Sequence, residues 1–87
     1  MASIEIVYMA ATATAHGTGQ AMAACPVGKL LVGGGFDLGS PPYSRRMHVR
    51  RARDYNDGTL DYWEVIVENE NDVDYSFAAI AYCLSQP

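Results

Sequence analysis

These 87 residues predict an all-β fold, a small antiparallel sandwich or prism-like barrel built on a C-terminal meander. Two observations carry this. Leu60–Glu68 alternates strictly, with Trp63, Val65 and Val67 on one side and Tyr62, Glu64, Ile66 and Glu68 on the other, the period of a strand with one buried face. On either side, across short stretches rich in Asn, Asp and Gly, lie Arg46–Asp54 and Tyr75–Leu84, which pair with it by side-chain pattern. The chain is short enough for one domain, residues 1–87, and a domain this small buries only around two thirds of the surface its unfolded chain exposes.

The preceding segments supply the strands that close the meander. Ser3–Met9 alternates with both faces partly apolar, and Ala10–Ala15 either continues it at an edge or forms an extended arm, so residues 1–15 are an N-terminal strand and possible arm. His16–Gly19 is a turn, Gln20–Cys25 a further strand, and Cys25-Pro26-Val27-Gly28-Lys29 a turn in which Pro26 fixes φ and Gly28 is free to take a positive one. Leu30–Phe36 is a strand carrying three consecutive glycines. Glycine inside a strand marks a bulge or the close approach of another group. A phosphate-binding loop is excluded, because no Lys-Ser/Thr pair follows these glycines. Asp37–Tyr43, with Pro41-Pro42, is an exposed loop.

Charge sets a register for the first hairpin. Five of the six basic residues fall within Arg45–Arg53, and most of the acidic ones follow between Asp54 and Asp74. A three-residue turn, Asn56-Asp57-Gly58 with Gly58 left-handed, sets Arg53 opposite Asp61, Arg50 opposite Glu64 and Arg46 opposite Glu68. The same register sets Arg51 over Trp63 as a cation–π pair and places His48 on the charged face near Glu64 or Glu68. A second hairpin about Asn71 pairs Val67 with Tyr75, Val65 with Phe77 and Trp63 with Ala79. Met47, Val49, Trp63, Val65, Val67, Tyr75 and Phe77 then form the core. Leu60, Tyr62, Ile66, Ile80 and Tyr82 form an opposite apolar face that an 87-residue chain cannot cover itself, which predicts a homo-oligomer built through this face or through the N-terminal arm Ser3–Ala15. A trimer is expected by analogy with particle-surface and fibre proteins.

Several function classes are disfavoured. A net charge of −4 with a single, internally compensated Arg-rich strand argues against nucleic-acid binding. No apolar run approaches the roughly 20 residues of a membrane helix, and the N-terminus lacks the basic start and apolar core of a signal peptide. The two histidines, His16 and His48, sit in no hydrolase or metal motif, so no enzyme activity, metal or cofactor is expected. Cys25 and Cys83 are the only cysteines. Their even number suggests a disulfide, the alternative being two buried thiols in a reducing cell; zinc is disfavoured because the paired short spacing is missing.

Cys25-Pro26-x-Gly28-Lys29, then Gly33-Gly34-Gly35-Phe36, then Trp63-x-Val65 with Asn69, then Ala81-Tyr82-Cys83, taken in that order, resembles a small β module of secreted bacterial and phage-associated proteins. The resemblance covers about two thirds of the chain. It implies a Cys25–Cys83 bridge, an extracellular or virion-surface setting, and no catalytic residue. The expected function is a non-enzymatic, self-associating structural component of an outer surface, such as a virion decoration or fibre-tip protein, assembling with itself or on a larger particle. The alternative is a lectin-like module that stacks a surface glycan on Tyr43, Tyr55 or Tyr62.

Overall fold

The computed structural model describes residues 3–41 and 43–85. Pro42 and the side chain of Tyr43 lie outside the described set. The strands are β1 (Ile4–Ala13), β2 (Thr18–Ala24), β3 (Lys29–Asp37), β4 (Met47–Asn56), β5 (Asp61–Asn69) and β6 (Tyr75–Ser85), with a 3-10 turn at Tyr43–Arg46. They form two antiparallel three-stranded sheets, β1-β6-β3 (sheet A) and β2-β5-β4 (sheet B), packed face to face as a sandwich.

The C-terminal meander is therefore replaced by a sheet-crossing chain. β4 and β5 are a hairpin, but β6 leaves β5 and becomes the centre of the other sheet, between β1 and β3. Val65 and Val67 do not ladder with Phe77 and Tyr75; they face them across the sandwich in one apolar cluster. Parity reports which way a strand's apolar side points and is the same whether two strands lie side by side or face to face. The residues from Ala10 on belong to β1, which pairs with β6 from Ile4 to Ala13, so the N-terminal segment is an edge strand and not a free arm.

Val65, Val67, Ala79, Ala81 and Cys83 are fully buried, with Phe77 and Met47 nearly so, and Trp63, Val49 and Tyr75 pack against them. Much of the inner layer is alanine and glycine, and Trp63 fills the space they leave. A Cβ on Gly34 would stand 2.1 Å from Trp63 Cδ2, so the ring lies directly on the β3 backbone. The indole N–H is buried and has no hydrogen-bond partner among the described residues, so the ring is held by packing alone.

Each end of the sandwich is clamped. At one end Cys25, just past β2, is bridged to Cys83 of β6, with Cα atoms 5.6 Å apart, joining sheet B to sheet A. At the other, buried Asn69 donates from Nδ2 to the carbonyls of Ala13 and Val73, and its Oδ1 accepts from the backbone and side-chain N–H groups of Asn71. Its backbone N–H donates to Gly17 at 2.7 Å. One side chain thereby holds the β1–β2 and β5–β6 connections together.

The β4–β5 register differs from the charge-matched one. Asn56 pairs with Asp61 and Arg53 with Glu64, while beyond a bulge at Arg50 Val49 pairs with Val67 and His48 with Glu68. The loop spans four residues because its own side chains shape it. Asp57 Oδ1 accepts from the N–H groups of Thr59 and Leu60, Asn56 Oδ1 from Gly58, and Asn56 Nδ2 donates to Asp61. Gly58 is left-handed, at φ 93°. The bulge lets charges match near the loop while Val49 still points inward further along.

Candidate interaction surface

Each sheet has an outward face, and the two differ in chemistry. On sheet B that face carries Glu64, Glu68, Arg51, Arg53 and His48 around Tyr55, Tyr62 and Ile66. Glu64 is only 3% exposed. Arg51 and Arg53 donate to its Oε1 and Gln20 to its Oε2. Arg50 pairs with Glu68 at 2.6 Å, and His48 lies 3.4 Å from Glu70. The expected pairs Arg50–Glu64, Arg53–Asp61 and Arg46–Glu68 are thus replaced, because the longer loop and the bulge shift the ladder. Arg51 points away from Trp63, and the cation–π contact is instead Arg53 over Tyr55, 5.6 Å from the ring centroid.

Burial would raise the Glu64 carboxyl, but hydrogen bonds from Gln20, Arg53 and Arg51 outweigh it and hold the group below its ordinary value of 4.5. Asp57 is also lowered, by the backbone N–H groups of Leu60 and Thr59. A carboxyl depressed in the fold contributes stability above its unfolded pKa and loses it as pH falls through the folded one. Unfolding free energy should therefore decline as pH drops below about 4.5, and Glu64→Gln, less stable at neutral pH, should show a shallower decline. Urea midpoints at pH 7, 4 and 3 check this; equal declines in both proteins would contradict it.

Sheet A presents the opposite character. Its outward residues run in cross-strand rows: Ile4, Leu84 and Leu30; Ile6, Tyr82 and Gly33; Tyr8, Ile80 and Gly35; Ala10, Ala78 and Asp37. Val32 is the extra residue of a bulge and joins Gly33 opposite Tyr82. Tyr8 is 63% exposed, while Ile4, Ile6 and Val32 are about half exposed. Side chains of this size, so exposed, leave roughly 600 Å² of apolar surface in one patch, the top of the range for the largest patch on a typical monomer and a size that is often functional. Asp37 is the only formal charge in these rows. At that end small side chains leave a shallow recess of about 190 Å³ lined by Ala10, Asp37, Gly39, Ser76, Phe77 and Ala78.

The five residues expected to share one interface are therefore divided. Ile80 and Tyr82 belong to the outward face of sheet A, Tyr62 and Ile66 to that of sheet B, and Leu60 to the β4–β5 loop. Once β5 and β6 lie in different sheets, their outward sides point in opposite directions. The sequence reading reached Ile4, Ile6 and Tyr8 only within the alternative interface Ser3–Ala15, which it took as an extended arm, and it missed Leu30 and Val32. The Ile4, Ile6, Tyr8 alternation was the available signal, and it does not say which of two apolar sides is covered. For sugar stacking, Tyr55 and Tyr62 are tilted by 50° at 6.4 Å, Arg53 occupies a face of Tyr55, and the Tyr62 hydroxyl donates to Asp57. No flat, open aromatic platform results from that pair.

No family model, curated protein or solved structure matches the chain.

Proposed function

We propose that this protein is a non-enzymatic structural component of an outer surface, such as the exterior of a virus particle, and that it assembles by covering the outward face of sheet A. The observation that carries the reading is the apolar patch on that face, whose one charge, Asp37, lies in its end row. The Cys25–Cys83 bridge supports an extracellular, oxidising setting, where such bonds persist. A second copy is the simplest cover. The patch approaches the ~800 Å² per partner of a standard interface, and pairing two such faces leaves the one charge, Asp37, in the end row and away from the centre. Elsewhere the net charge of −4 works against self-association.

Ile6→Glu tests the reading, because Ile6 is half exposed and adds little to the monomer's own packing. Light scattering should give the unaltered protein a mass above the 9.4 kDa of one chain, rising with concentration. The variant should remain at one chain mass with its circular dichroism unchanged. A wild-type protein that stays at 9.4 kDa into the high micromolar range would contradict self-association.

A further inference from the structure

The three consecutive glycines of β3 do two different things. Gly34 points inward and is required by Trp63, whereas Gly33 and Gly35 point outward on sheet A. A Cβ on Gly35 would meet nothing within 4 Å, and one on Gly33 only a Tyr82 ring carbon at 3.8 Å. Neither has a positive φ. Gly33 sits at the β3 bulge, whereas nothing inside the protomer requires glycine at Gly35, where it weakens the strand. Away from a bulge or bend, glycine inside a strand often marks the close approach of another group.

The rows show what that group is. On the β1 side of β6 the two middle rows carry Ile6 and Tyr8; on the β3 side the first carries Gly33 beside the bulged, half-exposed Val32, and the second carries Gly35 alone. At the Tyr8 row one flank is raised and the other is a trough over Gly35, with β6 as the line between them. We infer that two copies pair face to face through sheet A about a two-fold axis running along β6, so that Tyr8 of each enters the trough over Gly35 of the other and Ile6 packs beside Val32. This inference rests on the self-association proposed above and names its partner and geometry.

The alternative two-fold, across the strands, sets the raised β1 flank against itself and the glycine side of β3 against itself, combining crowding with a void. The axis along β6 removes both and keeps the strands nearly aligned, as packed sheets prefer. It also places each Asp37 at the rim over Ala10 of the second copy, away from the other Asp37. A flat face pairing with itself is isologous and closes at two copies, so this geometry gives a dimer in place of the trimer expected by analogy.

Exchanging knob and socket tests the inference. Tyr8→Gly and Gly35→Tyr should each raise the dimer dissociation constant at least about tenfold, the size expected for losing a central aromatic anchor. The double variant, which moves the knob to β3 and the trough to β1, should return to within a few-fold of the original. Sedimentation velocity reads the constants, and near-ultraviolet dichroism of Trp63 checks that each protein is folded. Independently, a mixture of Tyr8→Cys and Gly35→Cys proteins should be joined as heterodimers by a bis-maleimide of about 10 Å, the spacing of packed sheets. A wild-type protein that never associates would overturn this inference together with the proposed function. A dimer whose constant ignores both single changes, a cross-link formed by Tyr8→Cys alone, or a trimeric mass would overturn the two-fold arrangement while leaving self-association standing.

Discussion

Gly34→Ala should destabilise the protein by about 3 kcal/mol, the upper range for overpacking a core, although it adds one methyl group to a solvent-distant strand position. The methyl carbon would stand 2.1 and 2.2 Å from Cδ2 and Cγ of Trp63. These are rigid ring atoms next to the Trp63 backbone, so no flexible side-chain end can swing aside. The indole is confined by the inward alanines and by β3, and the backbone of one strand must move. For a domain of this size such a loss lowers the melting temperature by about 12–24 °C. Shrinking the ring should recover part of it: Gly34→Ala combined with Trp63→Leu should be more stable than the two separate losses sum to, by at least about 1 kcal/mol. Urea unfolding of the four proteins measures the coupling. Strict additivity, or a Gly34→Ala protein as stable as the original, would remove Trp63 from its assigned place. Gly35→Ala, where a Cβ meets open space, is the control and should change monomer stability little.

Removing the bridge should have an effect of similar size. Cys25 and Cys83 are separated by 58 residues, and the chain-entropy treatment of a loop that long assigns about 4 kcal/mol to its closure. Total stabilities of domains this small fall in a range of about 4–13 kcal/mol, so the bridge is a large share of the whole. Its position adds to the effect. It joins the end of β2, in sheet B, to β6, the centre of sheet A, at the end of the sandwich opposite Asn69. Replacing both cysteines by alanine, which leaves no lone thiol, should lower the unfolding free energy by about 4 kcal/mol and increase its dependence on urea as the unfolded chain expands. A doubly substituted protein within 1 kcal/mol of the original would show that the clamp at Asn69 and the core suffice without it.

The sequence was informative about faces and uninformative about neighbours. Trp63, Val65 and Val67 alternate with polar residues strictly enough to reveal an inward side, as do Tyr75, Phe77 and Cys83, and the all-β class with its disulfide follows from such patterns and the cysteine pair. Whether β6 lies beside β5 or above it is decided by the five-residue connection, where Asn69 and Asn71 are buried in hydrogen bonds to a second loop. An Asn-rich turn signal looks the same in both cases. The β4–β5 register was lost for a related reason. Charges can be matched in more than one alignment, and the bulge at Arg50 lets the strand use one near the loop and another further along. The exposed face of sheet A was legible only as a segment, the alternative interface Ser3–Ala15, because Ile4, Ile6 and Tyr8 read as a strand apolar on both sides, and only the placement of β1 at the sheet edge shows which side is bare.

Tyrosine-selective modification as a function of protein concentration tests the central claim most directly, because the two outward faces carry their own reporters. Tyr8 and Tyr82 lie on sheet A, and Tyr55 and Tyr62 on sheet B. If copies assemble through sheet A, the modification rates of Tyr8 and Tyr82 fall together as concentration rises, while those of Tyr55 and Tyr62 stay constant. Constant rates at all four residues, or protection confined to Tyr55 and Tyr62, would contradict the account.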